Sequence, residues 1–185
     1  MIIDIDNFVL YDSGTFTVTE MTERAARVIA AWKYEPPFDI YSFAGDDEEL
    51  NQVMNGLHFP VYFSEGFDVN PEHGTDNVPC GFIAWGPAAV IPSIWGRKYY
   101  KDDHYNDLAL GLAPENCGDK LGEKFVTAAL GFMNSEFPGE GVRLTVDSDN
   151  IRAVKIYERC GFKPIGTFRA REKNKRIKFY VLINA

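Results

Sequence analysis

The sequence predicts an α/β protein built on a mixed β-sheet, and three observations carry that expectation. Over residues 106–162 a strand, a polar turn and a helix occur twice in succession, the pattern of a sheet with crossover helices. Residues 58–63 (HFPVYF) and 79–85 (PCGFIAW) read as the arms of a long hairpin. Residues 165–171 and 177–183 read as a closing hairpin over the charged turn Glu172-Lys173-Asn174-Lys175. The 185 residues carry no repeat, low-complexity stretch or linker, so residues 1–185 are expected to form a single domain.

Taken in order, Ile2, Ile3 and Ile5 and then residues 8–11 suit either an extra edge strand or a packing arm. Phe16-Thr17-Val18-Thr19 is a short β-like run. Thr19 and Thr22 offer hydroxyl caps and Glu20 and Glu23 offer acids to a helix start. Ala25, Ala26, Val28, Ile29 and Trp32 then form its apolar stripe, and the helix must stop before Pro36-Pro37. A run of acids opens a short helix over 46–55. Residues 65–78 are rich in Gly, Pro, Asn and Asp and form a loop, and 86–97, with two prolines, form a loop or a broken edge. Residues 107–112 (DLALGL) form a central strand, followed by a helix over 118–136 with Leu121, Phe125, Ala128, Ala129 and Phe132 at helical spacing. Residues 138–141 turn the chain into a strand at 142–146 and a helix at 149–160. Gly161 stands where a left-handed C-cap belongs, with Phe162 as its apolar partner.

Composition narrows the function classes. Aromatic residues make up 14% of the chain, enough for an aromatic pocket wall as well as a core. No apolar run approaches the ~18 residues of a membrane span, and the acidic N-terminus lacks the basic region of a secretory leader. No membrane partner is therefore expected. Cys80, Cys117 and Cys160 are scattered and odd in number, which points to a reduced, cytoplasmic setting and no metal site. A net charge of -8 argues against nucleic acid and favours cationic partners such as amines. Nothing in the sequence signals an oligomeric state.

Two places carry chemistry. A helix N-terminus offers unpaired N–H groups and about half a positive charge, and glycine lets an anion approach that backbone closely. Gly118 and Gly122 are placed for this around Leu121, although a small-residue contact between helix and strand explains them about as well. The segment is neither a Walker loop nor a dinucleotide fingerprint. In the second helix Asn150, Ala153, Val154 and Tyr157 fall at i, i+3, i+4 and i+7 and share one face. That face presents an amide, a small residue and a phenol. The plain structural reading is a capping Asn and a Tyr with a wet hydroxyl.

These residues resemble the cofactor-binding half of the GNAT superfamily of acyl-CoA-dependent N-acetyltransferases. Residues 114–122 (PENCGDKLG) are similar to its pyrophosphate loop, and N-x-x-A-x-x-x-Y-E-x-x-G-F from Asn150 to Phe162 is similar to its next helix. The aromatic loop at 32–41 and the strand RLTV resemble an uncharacterised bacterial branch. The resemblance implies a mostly antiparallel sheet of about seven strands, splayed at the cofactor cleft, with helices on both faces. It implies acetyl-CoA as cofactor, held by Leu110, Gly111, Leu112, Cys117, Gly118, Asp119, Lys120, Leu121, Gly122, Asn150, Ala153 and Tyr157. It implies acetyl transfer by direct attack of a primary amine, on a small molecule or a protein, with Tyr157 serving the leaving thiolate. The amine must lose a proton first, and Asp107 is the first candidate base, with Glu35 and Asp39 as others, although each also reads as an ordinary solvated carboxylate. The aromatic loop reads first as packing; in its functional reading Trp32, Tyr34, Phe38 and Tyr41 would wall the amine. Cys117 stands where the family usually has Arg or Gln, Lys120 where it has Gly, and Asp119 adds a negative charge. These departures imply weaker or altered CoA affinity. The alternatives are a module that holds acyl-CoA without turnover, and a nucleotide-binding regulatory domain.

Overall fold

The computed structural model describes residues 9–68, 77–118, 120–173 and 175–185. Its strands are β1 (Val9–Asp12), β2 (Phe16–Thr19), β3 (His58–Phe63), β4 (Gly81–Trp85), β5 (Tyr105–Leu112), β6 (Gly141–Asp147), β7 (Lys163–Glu172) and β8 (Lys175–Asn184). Its helices are α1 (Glu23–Ala30), α2 (Asp47–Val53), α3 (Gly122–Glu136) and α4 (Ile151–Arg159). The strands pair in the order β1-β2-β3-β4-β5-β6-β8-β7. β5 and β6 are parallel, whereas β1–β2, β2–β3, β6–β8 and β7–β8 are antiparallel. The expected mixed, mostly antiparallel α/β fold is therefore present, with eight strands rather than about seven. β1 is the edge strand that the N-terminal stretch offered as one of two readings; Ile2, Ile3 and Ile5 lie outside the described residues. No helix among the described residues is long and apolar enough to cross a membrane.

The chain divides into two compact units, Met1–Ile83 with Leu110–Asp119, and Ala84–Ala109 with Lys120–Ala185. In the first, Thr22 caps α1, its hydroxyl accepting from the Ala25 N–H at 3.2 Å. The helix stops at Ala30, well short of the prolines. Trp32 donates back to Ile29 and the Tyr34 N–H turns to the Ser42 hydroxyl at 2.8 Å, so the chain has left helical geometry by then. Ile29, Trp32 and Ala113 form a buried cluster with Met21, Val28, Tyr34, Phe43 and Phe82 packed against it. A fully buried side chain of the size of Ile29 contributes about 1.5–3 kcal/mol. Asp46 caps α2 by accepting from Glu49 at 2.9 Å.

In the second unit Trp85 stacks on Phe132 of α3, ring centroids 5.5 Å apart. α3 and α4 meet where Gly122 faces Ile156: a Cβ at Gly122 would lie 2.6 Å from the Ile156 Cδ1. α4 ends as the sequence predicts. Gly161 takes φ +91°, its N–H bonds the Glu158 carbonyl, and the Phe162 N–H bonds the Tyr157 carbonyl. That pair of bonds is a Schellman motif, which glycine enters without a Cβ penalty.

Candidate functional site

β5 and β6 pair over Tyr105–Leu108 and Gly141–Leu144, yet β5 runs on to Leu112 and β6 to Asp147. The parallel ladder ends before either strand does. At the end of β5 the Ala113 N–H donates to the Cys80 carbonyl at 2.9 Å, towards β4. Backbone groups alternate along a strand, so Leu110 and Leu112 present theirs on the opposite edge. There the Leu112 carbonyl accepts from the Tyr34 hydroxyl at 2.7 Å, with the Cys117 Sγ 3.8 Å away. Burial, and then the charges at Cys117 and Glu115, push the Tyr34 hydroxyl far above the ordinary tyrosine range, so it stays a donor. Gly111 sits under the Phe82 ring, where a Cβ would come within 2.7 Å of it.

The chain then enters a short 3-10 turn, Pro114–Asn116, and the helix expected from Gly118 starts instead at Gly122. The reason is conformational. Gly118 has φ +114° and Lys120 φ +59°, and neither belongs in a right-handed helix. A Cβ at Gly118 would meet nothing within 4 Å, so its surroundings are open. Leu121 precedes α3 with no side-chain cap, leaving the first N–H groups of that helix without a capping side chain. Cys117 and Lys120 are exposed, Leu121 is half-buried, and Asp119 lies outside the described residues. Gly122 packs against Ile156 of α4, so its small-residue contact is between two helices and not between helix and strand as expected.

On α4, Asn150 is the N-cap: its Oδ1 accepts from the Ala153 N–H at 3.2 Å. Asn150, Ala153, Val154 and Tyr157 are all half-buried, while Ile151, Arg152, Lys155 and Glu158 are exposed, so the shared face inferred from spacing is present. The Tyr157 ring meets Phe162 edge-on, centroids 5.8 Å apart.

Asp107 is placed differently from a free base. It stands opposite Arg143 in the β5–β6 register, and its two carboxylate oxygens accept from the guanidinium at 2.7 and 2.9 Å. Arg143 is only 2% exposed and also donates to the carbonyls of Tyr99 and Asp102, at 2.6 and 3.1 Å. The Tyr100 and Tyr105 rings lie 5.3 and 6.0 Å from it. Taking up a proton would break this bidentate pair. Sequence reading passed over Arg143, although an arginine within a strand buried on both faces demands a partner.

Of the four aromatic residues expected to wall a substrate, Trp32 is 6% exposed and serves the core. Tyr34 is committed to Leu112. Phe38 is half-buried and Tyr41 is 38% exposed, and both lie in the 3-10 turn Phe38–Tyr41 at the loop tip. The loop neck is closed by Tyr34 to Ser42 and by the Lys33 ammonium, which donates to the Phe43 and Ala44 carbonyls. Burial pushes His58 down to about 4, which makes it a weak base, and His104 is exposed; His73 lies outside the described residues.

No family model matches the chain, and no curated relative does. Solved structures do. An acetyltransferase of the GNAT family from Bacillus anthracis superimposes with a TM-score of 0.66 at 14% identity, covering 92% of this chain and 94% of that one. A GNAT acetyltransferase from Streptococcus pneumoniae gives 0.58 at 16% identity, with 91% and 98% covered. A spermidine/spermine N-acetyltransferase from Vibrio cholerae gives 0.59 at 15% identity, with 92% of each covered. The chain has the fold of the GNAT acetyltransferases.

Proposed function

We propose that this protein is an N-acetyltransferase that moves an acetyl group from acetyl-CoA to a primary amine. One observation carries the reading: the β5–β6 ladder ends at Leu108 and Leu144 while β5 continues as an extended strand with backbone groups on its open edge. The residues fit the cofactor. The open surroundings of Gly118 and the uncapped start of α3 suit a pyrophosphate. Leu110 and the Leu112 N–H suit amide pairing with a pantetheine arm, and the Leu112 carbonyl is already filled by Tyr34. Gly111, Cys117, Lys120 and Leu121 shape this backbone, with Lys120 adding positive charge beside it. Asn150 and Ala153 form the helix start that presents Tyr157. Acetyl-CoA, when bound, supplies the activated thioester.

In this reading the Tyr157 phenol is the proton donor for the leaving sulfur. The amine's proton goes to a loop carboxylate, Glu35 or Asp39, because Asp107 is held by Arg143. Phe38 and Tyr41 offer aromatic faces to a cationic amine, and the net charge of -8 favours its approach. The test is release of CoA thiol from acetyl-CoA with a panel of primary amines, beside the melting temperature with and without CoA. Thiol release with any amine supports transfer. Stabilisation by CoA with no thiol release supports a non-catalytic acyl-CoA binder, and stabilisation by ATP alone overturns both.

A further inference from the structure

The net charge of -8 is unevenly distributed. Residues 93–103 and 163–178 hold ten of the 19 Lys and Arg but three of the 27 Asp and Glu, two of these being Asp102 and Asp103 at the far end of the first segment. Both segments lie in the second unit. In the β7–β8 hairpin Arg169 stands opposite Lys178, and Arg171 opposite Arg176. Directly opposed residues of antiparallel strands project to one face, and like charges so placed repel. All four are exposed, and among the described residues none is salt-bridged. Their neighbours Phe168, Ala170, Ile177 and Phe179 are buried, so the cations form the outer face of a core hairpin.

A loop runs along the outer edge of β7. The Ser93 hydroxyl donates to the Arg169 carbonyl at 3.1 Å. The Tyr99 hydroxyl donates to the Thr167 carbonyl and accepts from its N–H, each at 3.2 Å. A Cβ at Gly96 would lie 2.9 Å from the Phe168 ring. On this anchored loop Ile94 and Trp95 are 77% and 67% exposed, the most exposed large apolar side chains among the described residues. Arg97 and Lys98 follow them directly, both exposed.

We propose, against the expectation of no membrane partner drawn from the absence of a spanning segment, that this edge is a peripheral anchor for an anionic phospholipid surface. Ile94 and Trp95 enter the boundary between headgroups and acyl chains, and Arg169, Arg171, Arg176 and Lys178 meet lipid phosphates. Charge complementarity selects an anionic partner, since repelling cross-strand cations are relieved by phosphate and the guanidinium fork matches it. Trp95 could stack on a base, but the more exposed Ile94 gains nothing from bases or phosphates and gains directly from the lipid interface, so the pair favours lipid. Two copies meeting through this edge would oppose their cations. The anchor is independent of the acetyltransferase reading.

The test uses the whole protein with vesicles of phosphatidylcholine alone or mixed equally with phosphatidylglycerol. Sedimentation at about 0.1 M salt should give at least tenfold stronger binding to the anionic vesicles, lost at high salt. Tryptophan emission should shift to the blue, with Trp95 as its source, since Trp32 is buried and Trp85 is stacked on Phe132. The shift should vanish in Trp95→Ser. Each cation near such a surface contributes about fivefold, so Arg169→Glu with Arg171→Glu should weaken binding roughly thirtyfold or more. Positions 169 and 171 face Lys178 and Arg176, so each charge reversal turns a cross-strand repulsion into an attraction and the variant keeps its fold. Equal binding to both vesicle types, no binding to either, or tighter binding of a single-stranded oligonucleotide than of vesicles would overturn the proposal. So would a dimer that Trp95→Ser converts to a monomer.

Discussion

α3 and α4 each follow a strand of the same sheet, and they begin in opposite ways. α4 is closed by its own sequence, with the Asn150 side chain capping the Ala153 N–H. α3 starts after two left-handed residues, Gly118 and Lys120, and Leu121 gives it no side-chain cap. The better-matched pattern, Asn150 to Phe162, is thus largely helix-boundary chemistry: an N-cap at one end and a Schellman turn at the other. In the poorer match, residues 114–122, no side chain caps the helix start that follows. Strength of resemblance and completeness of capping are separate properties, and here they differ between the two helices.

The comparison can be broken from below. Both helices follow β5 or β6, and Asp107→Ala strips the buried Arg143 of its carboxylate. The expected cost is roughly 3–5 kcal/mol in urea unfolding, the largest effect here. A variant of wild-type stability that loses only acetyl transfer would instead make Asp107 the base. Gly122→Val drives a branched side chain towards Ile156 and should cost about 1–3 kcal/mol through overpacking. A neutral outcome would reassign that glycine to the anion cradle.

Smaller substitutions sharpen the contrast. Asn150→Ala removes a cap and should cost about 1 kcal/mol, with Asn150→Ser restoring most of it. If Ala and Ser variants unfold at the same denaturant concentration as wild type, the side chain is not a structural cap. Lys120→Gly relieves a left-handed lysine, worth about 1–2 kcal/mol, but frees the unfolded chain. A net gain below about 1 kcal/mol is expected, read as a small rise in melting temperature. A loss would mean the lysine side chain holds the loop.

Much of the fold was legible because hydrophobic period and turn chemistry are local. β3 has the expected span, both hairpin arms of β7 and β8 formed, and Thr22 and Gly161 cap as expected. What was not legible depends on partners distant in sequence. α1 ends early because Tyr34 bonds Ser42, and Trp32 faces a core completed by Ala113. Asp107 looked like a solvated carboxylate until the register set it against Arg143. The cationic face of β7–β8 was hidden inside a negative total, because net charge averages over surfaces that the fold keeps apart.

Lys120 has a consequence for how such chains are found. Its backbone occupies the torsion that glycine adopts most cheaply, while its side chain spells a different letter. That fits a chain which no family model matches but whose fold aligns over 92% of its length. A fold shared at 14% identity is kept by backbone geometry more than by particular side chains.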